Sequence, residues 1–153
     1  MLMLEMDGGT VPQSFTASDL PVGAEVLAIK RVLFCHGAVI DGDEGPIEFG
    51  FSDGSTWLFE SGGNGEDLQV KNSAWQDPFV EPISEENTSF LLDSGKWEIF
   101  NVGLAAWSYR RFVGLKLRSA RMSGATSVCL HFDCGNIEIT SGGDELRVNI
   151  VRS

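Results

Sequence analysis

The sequence predicts an all-β protein, mainly antiparallel with at most one short helix, in which two related β units pack as a sandwich or a distorted barrel. Three observations carry that expectation. Apolar and polar residues alternate at period two over short runs. Glycine-bearing turn signals separate those runs. A stretch of the first half also recurs in the second, and internal repeats of this kind dictate architecture. The chain has 153 residues, 42% apolar and 22% charged, which suits one globular domain with a real core.

The elements follow in chain order. Residues 1–18 are small and polar and read as a loosely attached arm, with Leu2 and Leu4 able to edge a sheet. "VLAIKRV" (26–32) reads as a strand, and "CHGAVIDGDEG" as a long connection after it. In "IEFGF", Ile47, Phe49 and Phe51 alternate with Glu48, Gly50 and Ser52, the pattern of a half-buried strand. "SDGS" then signals a hairpin, and "TWLFES" a returning strand. Residues 72–88 contain Pro78 and Pro82 and read as a surface connection. A hairpin is expected around Asp93-Ser94-Gly95, and the one helix candidate is "GLAAWSYRRF" (103–112). "SVCLHF", "DCGN" and "IEIT" complete a second strand–turn–strand run.

The repeat aligns "FSDGSTWLFESGGNGEDLQV" (51–70) with "FDCGNIEITSGGDELRV" (132–148). Phe51 matches Phe132, Gly54 matches Gly135, and the S-G-G at 61–63 matches that at 141–143. Upstream, "PIEFGF" parallels "SVCLHF", and "VLAIKRV" parallels "GLKLRSARM". The expectation is an internal duplication, approximately 22–71 and 112–151, joined by 72–111. Phe49, Phe51, Trp57, Phe59, Leu130, Phe132, Ile137 and Ile139 would form the shared core.

Charge bounds the partners. The net charge is −11, and it is uneven. Residues 1–70 carry 12 acids against 2 bases, residues 71–100 carry 6 against 2, and residues 101–153 carry 4 against 7. Such a surface repels nucleic-acid phosphates and anionic membranes and favours a basic partner. No apolar run approaches the roughly 20 residues of a membrane span. The start of the chain has no basic n-region or apolar h-region, so no secretory signal is expected, and the acceptor pattern at Asn87 carries little weight. Cys35, Cys129 and Cys134 are too few and odd in number for a disulfide framework. A cytoplasmic location is the expectation.

Several chemistries are weak. Cys129, His131, Asp133 and Cys134, with Cys35 and His36, include zinc-ligand types. The first unit offers only Glu48 and Gly50 at the corresponding positions, and there is no C-x-x-C pair. "DGDEG" (41–45) lacks the ligand spacing of a calcium loop, and "SGGNGED" lacks the helix and Lys-Ser/Thr of a phosphate loop. Neither histidine sits in a hydrolase motif. No catalytic residue, metal ligand or cofactor is therefore assigned. Trp75 and Trp97 remain as surface aromatics able to stack on a sugar.

The strongest feature is the acidic first unit. Asp41, Asp43, Glu44, Asp53, Glu60, Glu66 and Asp67, with Asp77 beyond it and Trp75 and Trp97 as aromatic anchors, form the candidate partner-binding set. In size, acidity and absence of catalytic motifs, with its F-x-x-G β repeat, the chain resembles the small immunity proteins that bacteria make against contact-delivered toxins. That resemblance implies a non-enzymatic, stoichiometric inhibitor of a basic protein and carries no catalytic residue across. Two alternatives stand beside it: an acidic nucleic-acid mimic that blocks a nucleic-acid-binding enzyme, and a β domain that binds a small molecule or carbohydrate.

Overall fold

In the computed structural model, residues 15–37, 39–76, 95–105 and 107–152 are described. Among the described residues, ten strands form two antiparallel sheets. They are β1 (Val26–His36), β2 (Val39–Asp41), β3 (Ile47–Phe51), β4 (Thr56–Ser61), β5 (Leu68–Lys71), β6 (Lys96–Phe100), β7 (Ser119–Ser123), β8 (Ser127–Phe132), β9 (Gly135–Gly142) and β10 (Glu145–Arg152). The larger sheet has the order β2-β1-β3-β4-β5, with β6 also paired to β1. Arg31 pairs with Ile47 of β3 and with Phe100 of β6, so β6 runs along the other side of β1 from β3. The smaller sheet has the order β10-β9-β8-β7. The runs β1-β3-β4-β5 and β7-β8-β9-β10 are thus the same four-stranded meander, one in each sheet.

The alternations read from the sequence put one face of each sheet into a common core. Ile29 pairs with Phe49, Phe49 with Trp57, and Ile47 with Phe59, so these side chains share a face. Across from them stand Val128, Leu130, Phe132, Ile137 and Ile139. All eight residues expected in the core are buried. Each such side chain contributes about 1.5–3 kcal/mol when taken from water. Ring contacts fix the packing: Phe49 meets Phe59 edge-on at 5.7 Å, and Phe112 meets Phe132 at 5.1 Å.

The arrangement is a sandwich and does not close into a barrel. A strap at 114–118 stitches the sheets at one corner. Gly114 donates to the Val26 carbonyl (2.7 Å) and Leu117 to that of Ala24 (2.9 Å). Arg118 then donates to the carbonyl of His131 in the other sheet (2.8 Å). At another corner Leu68 N–H reaches the Ala125 carbonyl (2.8 Å).

Several expectations need correction. The helix candidate resolves into two short helices, α1 (Val102–Ala105) and α2 (Trp107–Arg110). The arm is docked from Phe15 onward. Phe15 N–H bonds the Val70 carbonyl (3.1 Å), its ring stands edge-on to Trp57 at 5.2 Å, and Ala17 is buried in a 3₁₀ turn (Ala17–Asp19). Polar composition hid this, because among the described residues of the arm only the Phe15 and Ala17 side chains make the dock. Glu48, placed by alternation on the polar face, is buried, since a later segment folds over that face. Leu2, Leu4, Asn87 and the turn at Asp93-Ser94 lie outside the described residues.

Candidate functional site

Strand direction sorts the candidate acids into two ends. Chain enters β3 at the 43–46 loop and leaves β4 at Ser61, so the 43–46 loop and the 62–67 loop lie at one end of the larger sheet. The 52–55 turn lies at the other. Asp53 is therefore separated from the rest and serves its own turn. Its Oδ1 accepts the Ser55 N–H (2.9 Å) and the Ser55 hydroxyl. The Ser55 bonds hold its carboxyl below the ordinary aspartate value.

At the loop end a cleft of about 270 Å³ is lined by Val32, Pro46, Ser61, Leu146, Trp75, Trp97, Glu44, Glu60 and Asp144. Strand parity puts Val32, Glu60 and Trp97 on the face turned away from the shared core. Four of the ten expected residues thus meet here: Glu44, Glu60, Trp75 and Trp97. Asp43 is one residue away, with its side chain exposed. Glu66 and Asp67 sit in the neighbouring loop. There Asn64 Oδ1 accepts both of their N–H groups at 3.0 Å, so the glycine-rich segment is a self-bonded turn. Asp41 ends β2, paired with Phe34. Asp77 lies outside the described residues.

Both tryptophans are held by specific anchors. The buried carboxylate of Glu48 accepts the Trp75 N–H at 2.8 Å, which docks residues 72–76 on the outer face of the sheet. Trp97 stands edge-on to Phe34, centroids 5.3 Å apart. It also lies over Gly45, where a Cβ would come within 2.9 Å of its ring and 1.6 Å of the Val32 carbonyl. Glycine is required there by space alone.

The acidic 43–46 loop is built around a buried cation that the sequence did not single out. Arg31 donates to the carbonyls of Asp43, Gly45 (2.9 Å) and Pro46 (3.4 Å), and to the Tyr109 hydroxyl (2.8 Å). The Glu44 carbonyl in turn accepts the Leu146 N–H from the smaller sheet (3.0 Å). The loop's backbone oxygens face inward, and its carboxylates are left outside. Glu60 is partnered by Lys71 at 2.5 Å. Glu44 and Asp144 make no ion pair among the described residues.

Sequence reasoning also missed Asp144, Ser61 and Leu146. The signal was present in the repeat, which aligned the two S-G-G segments but did not show that they touch. Asp144 N–H donates to the Gly65 carbonyl at 2.7 Å. It does so from a two-residue hairpin turn in which Gly143 and Asp144 both have positive φ, 60° and 64°.

The zinc-type residues are dispersed. Cys129 and His131 share a face of β8, and His131 Nδ1 lies 3.0 Å from Asn136 Oδ1. Asp133 pairs with Arg118 (2.9 Å), whose hydrogen bond holds its carboxyl low. Burial pushes the Cys129 thiol up, with Glu138 adding to it, and does the same to Cys35 with Glu98. Among the described residues no three His, Cys, Asp or Glu side chains gather as a metal site, and no helix is long and apolar enough to cross a membrane. No family model, curated protein or solved structure matches the chain.

Proposed function

We propose that the chain is a non-enzymatic binding protein of the toxin-immunity type, which neutralises a basic protein partner by stoichiometric occupation of its surface. One observation carries the reading: Glu44 and Asp144, which make no ion pair among the described residues, and two tryptophans converge on a single cleft at the acidic end of the larger sheet. Carboxylates steer a basic partner toward the protein, and aromatic anchors in a desolvated pocket supply most of the affinity. Beyond the cleft, Asp43, Glu66 and Asp67 extend the negative surface at the same end. Affinity purification from the source organism, followed by stopped-flow association, tests the proposal. A basic partner is expected, captured 1:1, with an association rate that falls as salt rises. Reversing Asp43 and Glu44 to lysine should slow capture at least tenfold. Recovery of no partner, or of one whose association ignores salt and these reversals, counts against it.

The same pair of tryptophans favours a second reading, a carbohydrate-binding β domain, because indole faces stack on sugar rings while their N–H groups remain polar. A glycan array that returned one saturable ligand, lost on Trp75→Ala and Trp97→Ala, would put this reading first.

A further inference from the structure

We propose that the Trp75–Trp97 cleft is a receptor for one cationic side chain, an arginine presented by the basic partner. This rests on the protein-binding reading above and names the group that its recognition site takes.

Three features select the ligand. The first is size. The cleft's volume of about 270 Å³ falls below the roughly 300–1,000 Å³ of pockets that enclose a drug-sized ligand, so it suits a side chain rather than an oligosaccharide. The second is charge. Glu44, Glu60 and Asp144 line the cleft, and among the described residues no Lys, Arg or His does. Glu60 is engaged by Lys71, which leaves Glu44 and Asp144 to meet an incoming cation. They come from different sheets, Glu44 from the loop before β3 and Asp144 from the β9–β10 turn. The Glu44 carbonyl to Leu146 N–H bond and the Asp144 N–H to Gly65 carbonyl bond hold their backbones together. The third is the aromatic lining. An indole face attracts a cation, more strongly as water is excluded. Guanidinium exceeds ammonium on both counts, because its plane stacks on an aromatic ring and its fork of N–H donors matches carboxylates.

The Trp75 backbone and the Trp97 ring are held in place without a ligand. Glu48 holds the Trp75 backbone, and Phe34 with Gly45 positions the Trp97 ring. A preorganised pocket loses less freedom on binding.

The experiment uses the full chain and three small probes: N-acetyl-arginine amide, the isosteric but neutral N-acetyl-citrulline amide, and methyl β-glucoside. Indole N–H resonances and tryptophan fluorescence report the titrations. Saturable shifts are expected with the arginine probe, confined to the Trp75 and Trp97 indoles. Citrulline should bind at least fivefold more weakly. Glu44→Gln with Asp144→Asn should weaken arginine at least tenfold; asparagine tolerates the positive φ of position 144, so these variants keep the fold if Trp97→Ala does not. Equal binding of citrulline, absence of a saturable arginine shift, or glucoside binding in preference to arginine overturns the assignment. Partner capture separates the two levels. If Glu44→Gln/Asp144→Asn loses the arginine probe but captures the partner unchanged, the partner's arginine does not sit here, and stoichiometric capture still stands. If the cleft binds arginine and no basic partner is found, the parent reading fails while the cation site stands.

Discussion

Ser141 Oγ donates a hydrogen bond to Ser61 Oγ at 2.8 Å, and these two serines open the two S-G-G segments of the repeat. Equivalent positions in the two meanders therefore touch across the sandwich. The bond is asymmetric in burial, because Ser141 is 3% exposed and Ser61 is half-buried. Ser61→Ala strands a buried hydroxyl and should cost about 1–3 kcal/mol. Ser141→Ala replaces that hydroxyl with an apolar group and leaves Ser61 within reach of water, so its cost should stay below about 1 kcal/mol. Urea unfolding of the two singles and the double, read as a cycle, checks the order. A double-variant cost equal to the sum of the singles would mean that the hydroxyls do not depend on each other.

The matched hairpin glycines have different reasons to be glycine. Gly54 has φ +90° with open space where a Cβ would stand, whereas Gly135 has φ +145° and a Cβ there would lie 2.3 Å from the Val151 carbonyl. Gly54→Ala carries only the backbone penalty of a positive φ, about 1–2 kcal/mol. Gly135→Ala adds a steric clash with β10, so it should cost more than Gly54→Ala by at least 1 kcal/mol. Thermal melts of both variants in one buffer decide this. A reversed order would show that β10 yields readily at its C-terminal end.

Acid should loosen the β3–β4 turn. Asp53 is held below its ordinary value of 3.8, chiefly by the Ser55 hydroxyl and then by the Ser55 N–H. A carboxyl whose folded pKa is depressed contributes stability above its unfolded pKa and loses it as pH falls through the folded one. The contribution is therefore present at neutral pH and lost below pH 3.8, toward the lowered folded value. Carboxyl-carbon NMR should place the Asp53 midpoint under 3.8, and Ser55→Ala should raise it. The exposed Asp133, paired with Arg118, should also titrate low. Added salt should weaken that depression. An Asp53 midpoint unmoved by Ser55→Ala would remove the turn bond as its cause.

How much of this was legible depended on the range of the interaction. Strand alternation is local, so Phe49, Phe51, Leu130 and Ile137 declared their burial in the sequence, as did the turns at Gly54 and Gly135. The candidate cleft was half legible. Glu44, Glu60, Trp75 and Trp97 stood out by type, yet nothing local brought Trp97 onto Gly45 or Asp144 beside Gly65. Those contacts depend on β6 pairing with β1 and on the sheets meeting, which are long-range events. Glu48 was misplaced for the same reason. Its alternation is correct, but the segment carrying Trp75 covers its face from 27 residues away.

Arg31 was the least legible of all, since a basic residue in a strand ordinarily faces water. Here its guanidinium supplies the donors that keep the 43–46 loop turned inward, so it links the buried core to the acidic surface. Arg31→Met should leave the Gly45 carbonyl buried without its donor and cost about 2–4 kcal/mol. Arg31→Lys keeps the charge but lacks the fork, and it should restore less than half of that loss. Tyr109→Phe removes one acceptor and should cost about 1 kcal/mol. Hydrogen exchange distinguishes a local from a global effect. If Arg31 organises the loop, Val32 and Leu146, whose N–H groups donate to the Pro46 and Glu44 carbonyls, lose protection in Arg31→Met well before the Ile137 and Ile139 amides of the smaller sheet. Uniform loss across both sheets would make Arg31 a general core residue. Selective loss would tie the buried cation to the presentation of Glu44.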